Sequence, residues 1–74
     1  MFDRITFDPK ILGGRACIRG MRIPVSVIVN QIANGATDRE ILEGYPDLEP
    51  EDLRQALAYA AWLTQEQVLP ARPR

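Results

Sequence analysis

From Val25 onward the chain is written in helical periods. Val25, Ile28, Val29, Ile32 and Ala33 recur on one stripe, while Ser26, Asn30, Gln31 and Asn34 fall opposite. That spacing predicts an amphipathic helix over 25–34, entered at Pro24 as its first position and closed by Gly35. Thr37-Asp38-Arg39-Glu40 has the form of a capping box, in which the threonine hydroxyl and the glutamate carboxylate satisfy each other's backbone amides. A short second helix ending near Gly44 follows from it. After Tyr45-Pro46-Asp47-Leu48, the run Glu49-Pro50-Glu51-Asp52 places proline and carboxylates where a helix start favours them. Leu53, Ala56, Leu57, Ala60 and Leu63, with Thr64, make the main stripe of a third helix reaching about Gln67.

Before Val25 the period is two. Ile5 and Phe7 share one side of a strand within Phe2–Asp8, and Asp8-Pro9 ends it. Ala16 and Ile18 alternate with Cys17 and Arg19 between the glycine turns Gly13-Gly14 and Gly20. Residues 15–23 are thus expected to return antiparallel to the first strand, either within one chain or against a second copy. Two strands alone are marginal in water, so this ribbon needs helices or a partner beneath it. The expected architecture is mainly α: a three-helix bundle over 25–67 with an N-terminal β-strand or hairpin region over 1–24, and a flexible basic tail over 68–74. All three parts form one domain.

At 74 residues the chain buries only about 60% of its unfolded surface, and its single cysteine rules out an internal disulfide. A homodimer or higher homo-oligomer is the expected remedy for so small a core. The lone thiol, and the lack of a signal-like or membrane-spanning apolar run, point to a cytoplasmic protein that is not inserted in a membrane. Charge is unevenly spread. Residues 1–24 carry five cations against two anions, residues 25–69 carry two against eight, and Arg72 and Arg74 end the chain. A basic front and an acidic body can present separate faces to a polyanion and a protein, or pair with each other in a dimer.

Catalytic chemistry is sparse. There is no histidine, Cys17 has an apolar strand context without a base beside it, and the acids stand at helix starts rather than in a cluster. A non-enzymatic protein without metal or cofactor is expected. Three helices joined by short turns resemble the helix-turn-helix arrangement, whose third helix reads the major groove. Here that helix opens with Glu49, Glu51 and Asp52, which phosphates repel, so any DNA contact falls to Arg15, Arg19 and Arg22. The alternative is that these arginines pair internally with Asp8, Glu40, Glu43 or Asp47. Tyr59 and Trp62, three apart, lie off the centre of the third helix's stripe. They either cover the ribbon of the same chain or meet a partner.

Ile5 to Pro9, Gly13-Gly14-Arg15, Cys17-Ile18-Arg19-Gly20, Arg22-Ile23-Pro24-Val25, Gly35-Ala36-Thr37, Glu40-Ile41-Leu42, Tyr45-Pro46 and Leu48 to Tyr59 together resemble the bacterial domain-of-unknown-function family 433. Ala16 and Met21 stand where the family commonly has proline and threonine. The resemblance implies a homeodomain-like helical domain and an antitoxin role, often encoded beside a PIN-like ribonuclease toxin. Such an antitoxin inhibits the nuclease and commonly represses its own promoter, so operator DNA is a second implied partner. On this reading Tyr59, Trp62 and the tail engage the toxin, with Arg72 or Arg74 entering its metal-binding carboxylates. The alternatives are a transcription regulator acting alone and a homo-oligomeric scaffold.

Overall fold

A computed structural model describes residues 2–65. It contains two short strands, β1 (Ile5–Thr6) and β2 (Cys17–Ile18), then three helices, α1 (Val25–Ala33), α2 (Asp38–Gly44) and α3 (Pro50–Gln65). The fold is therefore mainly helical, with a small antiparallel hairpin in the register Ile5 to Ile18 and Thr6 to Cys17.

The expected strand over residues 2–8 contracts to two residues. Only Ile5 of its apolar positions is buried, and Phe7 is 55% exposed. The ribbon extends on its other edge instead. The Ile18 amide donates to the Ile23 carbonyl at 3.0 Å, the Val25 amide donates to the Ala16 carbonyl at 2.9 Å, and Cys17 bridges Pro24. Pro24 consequently keeps an extended backbone (φ −67°, ψ 145°) and serves as the N-cap of α1 rather than its first residue. Both Cys17 and Ile18 are buried, and Ile18 joins the core formed with the helices.

A sharp turn shapes the ribbon. The Met21 amide donates to the Ile18 carbonyl at 2.8 Å across Arg19 and Gly20, whose φ values are 46° and 72°. Positive φ at both central positions is the pattern of a hairpin turn that matches strand twist. Gly20 takes it freely; Arg19 does so against the repulsion of its own Cβ. Arg19→Gly is expected to be about 1 kcal/mol more stable than Arg19→Ala, since both lose the guanidinium but only glycine relieves the backbone. Urea unfolding of the two variants measures that difference.

Local signals place the helices well. The Thr37 hydroxyl accepts from the Glu40 amide at 3.1 Å and the Glu40 carboxylate accepts from the Thr37 amide at 2.8 Å, closing the capping box that opens α2. Gly35 follows α1 at φ 94°, and its amide donates to the Ile32 carbonyl. Ile5, Ile18, Val25, Ile28, Ile41, Leu48, Leu53 and Ala56 form one core, to which the ribbon and every helix contribute. The ribbon packs on the helices of its own chain.

α3 is rotated from the expected stripe. Asp52, Leu53, Gln55 and Ala56 are buried, whereas Leu57 is 41% and Leu63 43% exposed. Its first turns face inward through polar side chains that hold the ribbon. Its last turns run beyond the core, so Leu63 keeps helical phase with the buried face but has little protein beneath it.

Candidate functional site

Asp52 is the centre of the polar contacts. It is completely buried, on the first turn of α3. Its carboxylate accepts from Arg19 (Nε at 3.0 Å, Nη2 at 2.8 Å), from Arg4 Nη1 at 3.1 Å and from the Glu49 amide at 2.7 Å. Arg4 also reaches Glu49 at 2.6 Å, and Arg19 Nη2 donates to the Asp47 carbonyl at 2.7 Å. Burial pushes the Asp52 carboxyl up, but the bonds from Arg19, the Glu49 amide and Arg4 outweigh it and hold the group below its usual range. The Asp52 hydrogen bonds raise Arg19 in turn.

Gln55 continues the clamp one turn on. Its Oε1 accepts from the Arg4 amide at 3.0 Å, and its Nε2 donates to Asp3 at 2.7 Å and Glu51 at 3.0 Å. Arg54, and then Gln55, lower the Glu51 carboxyl to about 2. Because the Glu51–Arg54 pair is on the surface, it adds little to stability. Asp52, Gln55 and Arg4 thus fasten the N-terminal segment and the Arg19 turn to α3. Sequence reading placed Asp52 only as a carboxylate near a helix dipole. The signal that marks Asp52 as inward-facing is its place next to Leu53, on the helical phase that carries Tyr59 seven residues later.

This cluster decides the three arginines. Arg19 is paired within the chain, but by Asp52 rather than by the expected Asp8, Glu40 or Glu43 side chains, and it meets Asp47 through the backbone. Arg15 is exposed and donates to the Ser26 hydroxyl at 3.2 Å. Arg22 is exposed and makes no ion pair among the described residues. Arg19 is thus tied to the start of α3 and Arg15 to the start of α1, while Arg22 stays on the surface turn.

A second surface is built from aromatic rings. Tyr59 is half-buried, with Phe2 edge-on at 5.5 Å, Phe7 at 5.9 Å and Trp62 stacked at 6.2 Å. Phe2 also meets Trp62 at 6.1 Å. Tyr59 therefore covers the N-terminal segment of its own chain, while Trp62 remains 45% exposed. On the other flank of Tyr59 a groove of about 320 Å³ opens between α3, α1 and the ribbon. Val25, Val29, Tyr59 and Leu63 form its walls, the alanines 16 and 60 leave it room, and Arg15 with Ser26 stands at one side. Arg72 and Arg74 lie outside the described residues.

Among the described residues, no group of three histidine, cysteine, aspartate or glutamate side chains is placed to hold a metal ion, and no helix is long and apolar enough to cross a membrane. Cys17 is buried and free. What the described residues do present is a polar clamp centred on Asp52 and an apolar face at the end of α3.

The model of the family described as "Protein of unknown function (DUF433)" matches residues 5–60. The chain belongs to the DUF433 family. The matched span of this DUF433 domain holds the ribbon, α1, α2 and α3 as far as Ala60, and stops short of Trp62 and Leu63. The domain is 39% identical over 56 residues to the uncharacterized protein y4eO of Sinorhizobium fredii (strain NBRC 101917 / NGR234). That match takes in 76% of this chain but 25% of the relative, so the chain spans about a quarter of that protein's length. The crystal structure of a DUF433 member from Anabaena variabilis ATCC 29413 superposes with a TM-score of 0.78 at 39% identity. It covers 86% of this chain and 63% of the crystallised one.

Proposed function

We propose that this DUF433 domain is a non-enzymatic, antitoxin-like binding protein of the cytoplasm, with a homeodomain-like trihelical body, that docks on a PIN-like ribonuclease and inhibits it. The observation that carries the reading is the apolar face left at the far end of α3. Trp62 and Leu63 are nearly half exposed, beside a groove and an aromatic cluster, on a helix that projects beyond its core. Adjacent large apolar groups on so small a domain favour a protein partner or a second copy. Trp62 has the character of an interface anchor, being large, rigid and supported from behind by Tyr59 and Phe2. DNA contact by the resulting complex falls to Arg15 and Arg22, because Asp52 holds Arg19.

The test is coexpression with a PIN-like ribonuclease, followed by size-exclusion chromatography with light scattering. A stoichiometric complex is expected. Trp62→Ala is expected to weaken it by about 2 kcal/mol, roughly thirty-fold in Kd, without lowering the thermal midpoint of the free protein by more than a few degrees. Separate elution of the two wild-type proteins at micromolar concentration overturns the proposal.

A further inference from the structure

The groove beside Tyr59 has a definite polarity, and that polarity identifies what fits it. Its walls are aliphatic and aromatic, and among the described residues Arg15 is the one charged residue that lines it. Arg15 is exposed, and the hydrogen bond it makes is to a neutral hydroxyl, that of Ser26. α1 begins at the same place with no acidic residue in its first turn and no side-chain cap, so its positive end adds to the arginine's field. Arg4, Arg19 and Arg54, by contrast, are each paired with a carboxylate. Among the described residues the groove is thus an apolar slot with a positive edge that no carboxylate meets.

We infer that the groove takes an amphipathic helical segment of a protein partner, seating an aliphatic side chain between Val29 and Leu63 and setting a carboxylate on Arg15. This rests on the binding-protein reading above and deepens it by naming the partner's chemistry. The volume of about 320 Å³ suits one or two aliphatic side chains rather than a whole domain face. The carboxylate supplies selectivity. A guanidinium accepts it through parallel hydrogen bonds, whereas a lysine at the same place in the partner meets like charge. An occupant of this kind also withdraws Arg15 from phosphate, leaving Arg22 as the free cation of the pair toward DNA.

Two synthetic helical peptides test this without any ribonuclease present. Both carry leucines at i, i+3 and i+7; one has glutamates flanking them and the other lysines. Titrated into the full chain and followed by NMR, the acidic peptide is expected to shift the amides of Val25, Ser26, Val29 and Leu63, and to bind roughly tenfold more tightly than the basic one. Arg15→Glu reverses that preference, and Ala60→Phe, which fills the slot, abolishes the shifts while the thermal midpoint holds. Equal binding of the two peptides, shifts away from the groove, or concentration-dependent shifts with no peptide added, as a second copy in the groove produces, each overturn the inference. The ribonuclease coexpression stands or falls independently of this titration.

Discussion

Asp52→Ala is expected to lower stability by about 3 kcal/mol, seen as a reduced urea midpoint. Removing one partner from a buried ionic cluster typically costs 3–5 kcal/mol, because the remaining charges lose their counter-ion inside the protein. Here the lower end applies, since the Arg4 and Arg19 side chains keep 27% and 35% of their surface and so reach water. The same change releases the Glu49 amide at the start of α3. Asp52→Asn preserves shape but not charge, and its signature is in the pH profile. In the folded chain the Asp52 carboxyl is held below its usual range, whereas the unfolded chain titrates near 3.9. Between those values the unfolded state binds more protons, so stability rises with pH. The Asp52 contribution is complete above about pH 5 and disappears as pH falls through the folded value. Asp52→Asn should therefore flatten the acid limb of the stability curve; an unchanged limb places the acid sensitivity elsewhere.

Ile28→Ala is the second large effect. Ile28 is fully buried in α1 and belongs to the core with Ile18, Ile41 and Leu53. Truncating such a side chain costs about 3 kcal/mol through lost transfer energy and the cavity left behind, roughly 15 °C in the thermal midpoint of a domain this size. Leu57→Ala provides the contrast. Although the helical wheel places Leu57 and Leu53 on one stripe, Leu57 is 41% exposed, and its truncation is expected to change stability by no more than about 0.5 kcal/mol. A loss at Leu57 as large as that at Ile28 contradicts the position of α3 described above.

The three helices were legible because their signals are local. Thr37 and Glu40 lie within one turn, Gly35 stops α1 at its own position, and the Val25–Ile32 stripe reports burial directly. The clamp was not legible, because its partners are distant in sequence. Arg19 and Asp52 are 33 positions apart and Arg4 and Asp52 are 48, so no window contains both charges. The apolar period of α3 misled for a different reason. Periodicity fixes the face a residue occupies but not where the core beneath that face ends, and the core ends before Leu63. That shortfall is also what makes the candidate site. Tyr59 and Trp62 were legible as a pair of rings, yet only packing divides them, Tyr59 against Phe2 and Phe7 and Trp62 outward. The arginines were legible as a set, and packing divides them too.

Inhibition of RNA cleavage bears most directly on the central claim. The purified DUF433 domain is titrated into a reaction containing a PIN-like ribonuclease, the partner class proposed above, and a single-stranded RNA. Binding at the exposed end of α3 predicts loss of cleavage at an equimolar ratio, and recovery of cleavage when Trp62→Ala replaces the wild-type domain. Undiminished cleavage in about tenfold molar excess of the folded wild-type domain contradicts the account.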